Sequence, residues 1–435
     1  MISWPDNPTY EDLNNALKKG FGRAYLWASN GRMNQEALLE ACLNDYRYDT
    51  QVEDTRGDWL WQLLKAASLE QEFQEQIFTA FKDIDESKAQ SQLCQLARHF
   101  ALSGDERFRA QLRRIVTEKP VDDSPWLGEE ELIRLDGAEG FILAVSQHGA
   151  ELASREPDWF DRSLGDEGVE WLGEECVVEL LSTAAANNRE VHRFQEAWEE
   201  QKKQWENREQ VSHRERVGKY KVEEVITAAE STEKTSVRFR GWGMYASDID
   251  IDAIFQRMIA NRDVEALRRY LIVFSRRSLP VFDSRFLEFC NHSDENIRRR
   301  AAYAIANNCH PEVRQFALER LSQPGFQEFA IAMLAKNYEL ADESLVLDHL
   351  VLAENECELH STLMSLRNLI EEKTQAKCKQ AVELVYDNTP CSSCRHSVVE
   401  LLNEREELPE SMQTECQFDV EIDTRQLVQG PIWNE

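Results

Sequence analysis

Two short amphipathic helices set back to back between Ser293 and Gln323 constrain the fold of this chain more than any other stretch. In SDENIRRRAAYAIANNCHPEVRQFALERLSQ, Ile297, Ala301, Ala304 and Ile305 fall at i, i+4, i+7 and i+8. Val313, Phe316, Ala317 and Leu321 fall at i, i+3, i+4 and i+8. Each helix carries one apolar stripe that it cannot bury alone. Asp294 or Ser293 suits the N-cap of the first helix, and Pro311 suits the first position of the second.

Composition points the same way. The 435 residues include only 17 Gly and 11 Pro, too few for the frequent turns of an all-β chain, so the spacing predicts an all-α protein. Fifty basic residues against eighty acidic ones give a net charge of −30, which repels nucleic acid and anionic lipid over most of the surface. No apolar run approaches the roughly 18 residues that cross a bilayer, and MISWPDNPTY lacks the pattern of a signal peptide. The expectation is a cytoplasmic protein with no membrane association. Its ten cysteines lie within helical patterns, as reduced core thiols do.

The Asp-x-x-Ile-Arg opening at Asp294 and the Pro-x-Val-Arg opening at Pro311, each followed by small residues at the crossing positions, resemble HEAT-like helical repeats of the armadillo/HEAT type. The resemblance is clearest over 293–323 and continues by pattern to about Leu402, with helix pairs recurring roughly every 33 residues. It implies an α-solenoid of stacked antiparallel helix pairs whose usual role is to hold a partner. Three regions are expected: an N-terminal helical domain over 1–186, a charged helix and polar linker over 187–250, and a C-terminal repeat domain over 251–435. Before Asn187 the solenoid reading rests on helical periodicity alone. The helix from Asn187 to Arg216, with a thin seam at Phe194, Trp198 and Trp205, reads as a surface helix or a coiled-coil partner site. The Glu, Thr, Ser and Lys-rich stretch 219–249, ending RFRGWGMYASDI, reads as the boundary, and KPVDDSPWLG from Lys119 reads as a loop.

Candidate chemistry is sparse. Gly-rich phosphate loops, His-Glu-x-x-His and nucleophile elbows are absent from the sequence, and His148, His349 and His360 sit on or beside apolar faces as structural histidines do. Cys391-Ser-Ser-Cys394, followed by Arg395 and His396, is the sharpest motif. At a helix start it suits packed thiols, a regulatory dithiol, or half of a zinc site completed by His396, Cys378, Cys416 or the Cys309-His310 pair. No cofactor is expected otherwise.

Between Phe255 and Arg300 ten arginines face six acids, so this window carries +4. Arg268, Arg269, Arg276, Arg277, Arg298, Arg299 and Arg300, with Trp198, Trp205 and Trp242, are the candidate anchors for a protein partner. The competing reading pairs these arginines with the chain's own acids. A few HEAT-like proteins are DNA glycosylases with a basic concave face, and that resemblance implies nucleic-acid binding or glycosylase-like chemistry as the alternative. The sequence reading favours a non-catalytic scaffold or adaptor. Asp54 and Arg56, echoed by Asp423 and Arg425, are expected to join helices structurally.

Overall fold

A computed structural model describes residues 4–50, 53, 55–84, 87–118, 127–153, 160–206, 212–372, 379–431 and 433. These form 27 α-helices, with no strand among the described residues. The chain is all-α, and its helices pack in pairs compatible with a helical repeat. None of them is long and apolar enough to cross a membrane.

The first unit comprises residues 1–208 and 408–435, and the second comprises 209–407. This division differs from the expected one at both ends: the break falls inside the charged stretch, and the last 28 residues belong with the N-terminal helices. In the first unit run α1 (Tyr10–Lys19), α2 (Arg23–Ser29), α3 (Gln35–Leu43), α4 (Arg56–Ala67), α5 (Glu70–Lys82), α6 (Gln90–Leu102), α7 (Glu106–Thr117), α8 (Glu129–Asp136), α9 (Ala138–Glu151), α10 (Ser163–Leu172), α11 (Glu174–Ala185) and α12 (Arg189–Glu206). The second unit holds α13 (His213–Gly218), α14 (Val222–Glu230), α15 (Phe239–Tyr245), α16 (Asp248–Ala260), α17 (Val264–Val273), α18 (Arg285–Phe289), α19 (Glu295–Ala306), α20 (Pro311–Arg320), α21 (Gln327–Lys336), α22 (Asp342–His349), α23 (Glu356–Glu372), α24 (Lys379–Asn388) and α25 (Ser392–Glu404). The chain then rejoins the first unit with α26 (Glu410–Cys416) and α27 (Ile422–Leu427).

Within the first unit alternate helices touch in succession, α2 on α4, α4 on α6, α6 on α8 and α8 on α10. Thr9 and Asp12 form the capping box that starts α1. Gly20 ends α1 at φ +70°, where a Cβ would lie 2.2 Å from Val420 Cγ1, and the Val420 amide donates to the Gly20 carbonyl at 3.0 Å. Around it Arg23 pairs with the fully buried Glu415, the Trp59 indole donates to the Phe418 carbonyl, and Phe418 stacks on Tyr25. The echoed arginines both clamp carbonyls: Arg56 donates to Leu17 and Lys18 and pairs with Glu53, while Arg425 donates to Asp419 and Val420. Asp54 lies outside the described residues, and Asp423 is exposed. Helix α12 packs onto α9 and α11, with Phe194 edge-on to His148 and Trp198 over Gly165 of α10, so the charged helix is a member of this unit. The expected loop from Lys119 falls largely outside the described residues.

The second unit repeats the device more regularly. Helices α13, α15, α17, α19, α21 and α23 form one row, each touching the next, and successive members from α17 start at Val264, Glu295, Gln327 and Glu356. Asp294 caps α19 through the Ile297 amide, and Pro311 opens α20. Next to the row's last member, α21 buries Phe329, Ala330, Ile331, Met333, Leu334 and Ala335, apolar on nearly every side because neighbours cover it. The stretch expected to be a polar linker contains α14 and α15. Val225, Phe239 and Trp242 are buried there, the Trp242 indole donates to the Tyr220 carbonyl at 2.9 Å, and Gly243 admits the Val273 carbonyl where a Cβ would sit 2.0 Å away.

Helix ends along this row are joined by asparagines. The Asn308 side chain accepts from the Leu279 amide at 3.0 Å and donates to Ala304, while Asn337 accepts from the His310 amide at 2.7 Å and donates to the Asn308 carbonyl at 2.8 Å. Leu279, Asn308 and Asn337 are each 29 residues apart. Because Asn308 is buried, Asn308→Ala leaves the Leu279 amide without its acceptor and is expected to cost about 1–3 kcal/mol in urea unfolding. Asn296→Ala, exposed on the same α19, is expected to stay within about 0.5 kcal/mol. Equal effects from the two substitutions would contradict this role.

Candidate functional site

The arginine-rich window is largely occupied by its own unit. Arg268 bridges to Asp294, Arg300 donates to the Arg268 carbonyl at 2.6 Å, and Arg269 reaches the Ala228 and Ser231 carbonyls. Arg277 holds the Gly243 and Ala246 carbonyls and Asp248. Arg257 pairs with Glu230, Arg285 with Asp283, and Arg298 donates to the His292 and Ser293 carbonyls at 2.8 Å. Charge neutralisation inside the fold therefore absorbs most of the basic excess. Arg262 and Arg276 are exposed, and Arg299 lies 3.8 Å from Glu328 at the unit's surface. Of the tryptophan candidates, Trp198 and Trp242 are core residues, and Trp205 is 60% exposed beneath the Arg162 guanidinium.

Two of those arginines border a cleft of about 730 Å³ in the second unit, lined among others by Arg298, Arg299, Arg320, Glu328, Glu358 and Ser361. Its lining mixes guanidinium and carboxylate groups contributed by α19, α20, α21 and α23.

The densest chemistry lies at the far end of the same row. Cys391 occupies the N-cap of α25 and is buried, Cys394 stands one turn inside that helix, and His360 enters from α23. The ligand atoms of these three residues lie within 4.8 Å of one another, and His360 Nε2 is 3.0 Å from Cys394 Sγ. His396, the histidine suggested by the sequence, stands outside this group. Two helical positions beyond Cys394 it points about 200° around the axis, toward another face. Of the other sequence candidates, Cys378 lies outside the described residues, Cys416 belongs to the first unit, and Cys309 is exposed at the end of α19.

Sequence reasoning missed His360 because its position on an apolar face matched that of His148 and His349. Of those two, His148 is structural, buried and meeting the buried Glu129 at 3.0 Å, whereas His349 is exposed and meets the Leu345 carbonyl of its own helix. His360 differs in having a cysteine sulfur as its neighbour, a partner 34 residues away that only the packing of α23 and α25 reveals.

The two thiols are pushed apart in acidity. The Cys394 thiol, aimed at the Cys391 sulfur, is the largest influence holding Cys391 well below the ordinary thiol range, with His360 and the Cys394 amide assisting against burial. Cys394 is correspondingly pushed up, chiefly by Cys391 and then by burial, with Arg367 opposing. The helix N-terminus favours the anion at Cys391. No family model matches the chain, and neither curated proteins nor solved structures give a match.

A lowered thiol pKa means that the anion persists as pH falls. In metal-free reduced protein, one thiolate is expected to remain at about pH 6, read by its ultraviolet absorbance, where an ordinary cysteine is protonated. Cys394→Ala is expected to move that titration upward by more than His360→Ala does. A wild-type profile with every thiol titrating in the ordinary range would refute the arrangement.

Proposed function

We propose that the protein is a non-catalytic scaffold of the HEAT-like, α-solenoid kind, which holds a protein partner along its second unit. The observation that carries this reading is the row of alternate helices from α13 to α23, whose members from α17 to α21 are joined by asparagine and arginine bonds at near-constant spacing. Stacked arrays of this sort bury a continuous core and leave an extended face for recognition. The cleft beside α19, α21 and α23 offers mixed charge suited to a peptide segment that itself carries both signs.

The alternative of nucleic-acid binding has less support. A phosphate-binding face needs uncommitted guanidinium groups, and Arg268, Arg269, Arg277, Arg298 and Arg300 are spent on carbonyls and carboxylates of their own unit. The surplus of acids works against it further.

Affinity capture from native lysate, with and without nuclease, tests the proposal when wild type is compared with Arg299→Glu/Arg320→Glu. These side chains border the cleft, and the exchange leaves the Asn308 and Asn337 links intact. The scaffold reading expects a nuclease-resistant protein partner that the double variant loses at least about tenfold. Recovery of nucleic acid, or loss of every partner on nuclease treatment, would overturn it.

A further inference from the structure

We propose that His360, Cys391 and Cys394 form a mononuclear site for a zinc-class divalent ion that clamps α23 to the N-terminus of α25. Three observations converge. The donors are one imidazole nitrogen and two cysteine sulfurs, a set that selects zinc-class ions over hard cations such as magnesium or calcium. They come from two helices separated by α24, so an ion here would close a connection that packing alone makes only weakly, since α23 and α25 each contact α24 more extensively than they contact one another. Their spacing also fits. Tetrahedral coordination with bonds of about 2.0 Å to nitrogen and 2.3 Å to sulfur places ligand atoms about 3.5–3.8 Å apart, within the range from 3.0 Å between His360 and Cys394 to the 4.8 Å limit of the whole group.

A regulatory disulfide between Cys391 and Cys394 is the competing use of the same pair. It gives no role to His360, whereas metal binding uses all three donors. Among the described residues no fourth donor joins the group, and His360 and Cys394 are only partly buried, so a water completes the coordination. Cys357, one turn before His360 on α23, is exposed and stands outside the group. The bridge ties the last helices of the second unit to the end of the row, a position where a repeat array otherwise frays.

Cobalt(II) titration of the reduced, chelator-stripped full-length chain tests the site, because thiolate-to-cobalt charge transfer reports sulfur ligation directly. One cobalt per chain is expected, displaced by zinc, and zinc should raise the melting temperature. His360→Ala and Cys394→Ser should each weaken binding at least about tenfold, the latter serving if substitution of the buried Cys391 prevents folding. His396→Ala and Cys357→Ala should bind as wild type. Absence of a thiolate–cobalt band, undiminished affinity in His360→Ala, or loss of binding in His396→Ala would each overturn the proposal, as would thiols that close to a disulfide while the reduced protein takes up no metal.

Discussion

Every stacked helix leaves amides and carbonyls at its ends that no intrahelical bond satisfies, and the second unit depends on supplying those groups from the next turn of the stack. Asn308 and Asn337 do this with one side chain each, accepting a loop amide from the neighbouring turn while donating to a helix-terminal carbonyl. Arg269, Arg277, Arg300 and Arg314 do it with guanidinium groups that reach carbonyls in an adjacent element. Burying an apolar stripe explains why helices such as α19 and α21 pack at all. The side-chain bonds explain why they pack in one register, since a helix slipped by a turn would leave several buried polar groups without partners.

This constraint also explains the charge pattern. A chain with 80 acids and 50 bases has reason to present its basic cluster to a partner. Instead the cluster coincides with the row of α17 and α19, where arginine is the side chain long enough and rich enough in donors to bridge successive turns. What is left for recognition in the proposed reading is a smaller feature, the cleft bordered by Arg299 and Arg320. Function in this reading rests on shape and on a few committed side chains, in keeping with a scaffold.

Helical class and the starts of α19 and α20 were legible because amphipathic spacing and caps are local signals: Asp294, Pro311 and the stripe of Ile297 and Ala301 can be read without knowing the fold, whereas the packing of both helices on α21 rather than on one another could not. The Cys391–Cys394 pair was legible for the same reason. His360 was not, because its meaning comes from a sulfur on another helix, and neither were the asparagine links, since an Asn after a helix looks like an ordinary end. Residues 219–249 looked like a linker because polar residues outnumber Val225, Phe239 and Trp242, although those few apolar side chains are enough to fold α14 and α15 against α17. Membership of 408–435 in the first unit depends on Glu415, Phe418 and Val420 meeting residues near the chain's start, contacts to which no periodicity points.

The register of the second unit rests on the asparagine links, and hydrogen exchange of backbone amides in the full-length chain addresses them most directly. Leu279 and His310 lie outside helices, so their amides owe any protection to Asn308 and Asn337. Both are expected to exchange as slowly as amides inside α19 and α21. Exchange at the rate of open turns would contradict this role and would leave the row of helices held by apolar contact alone.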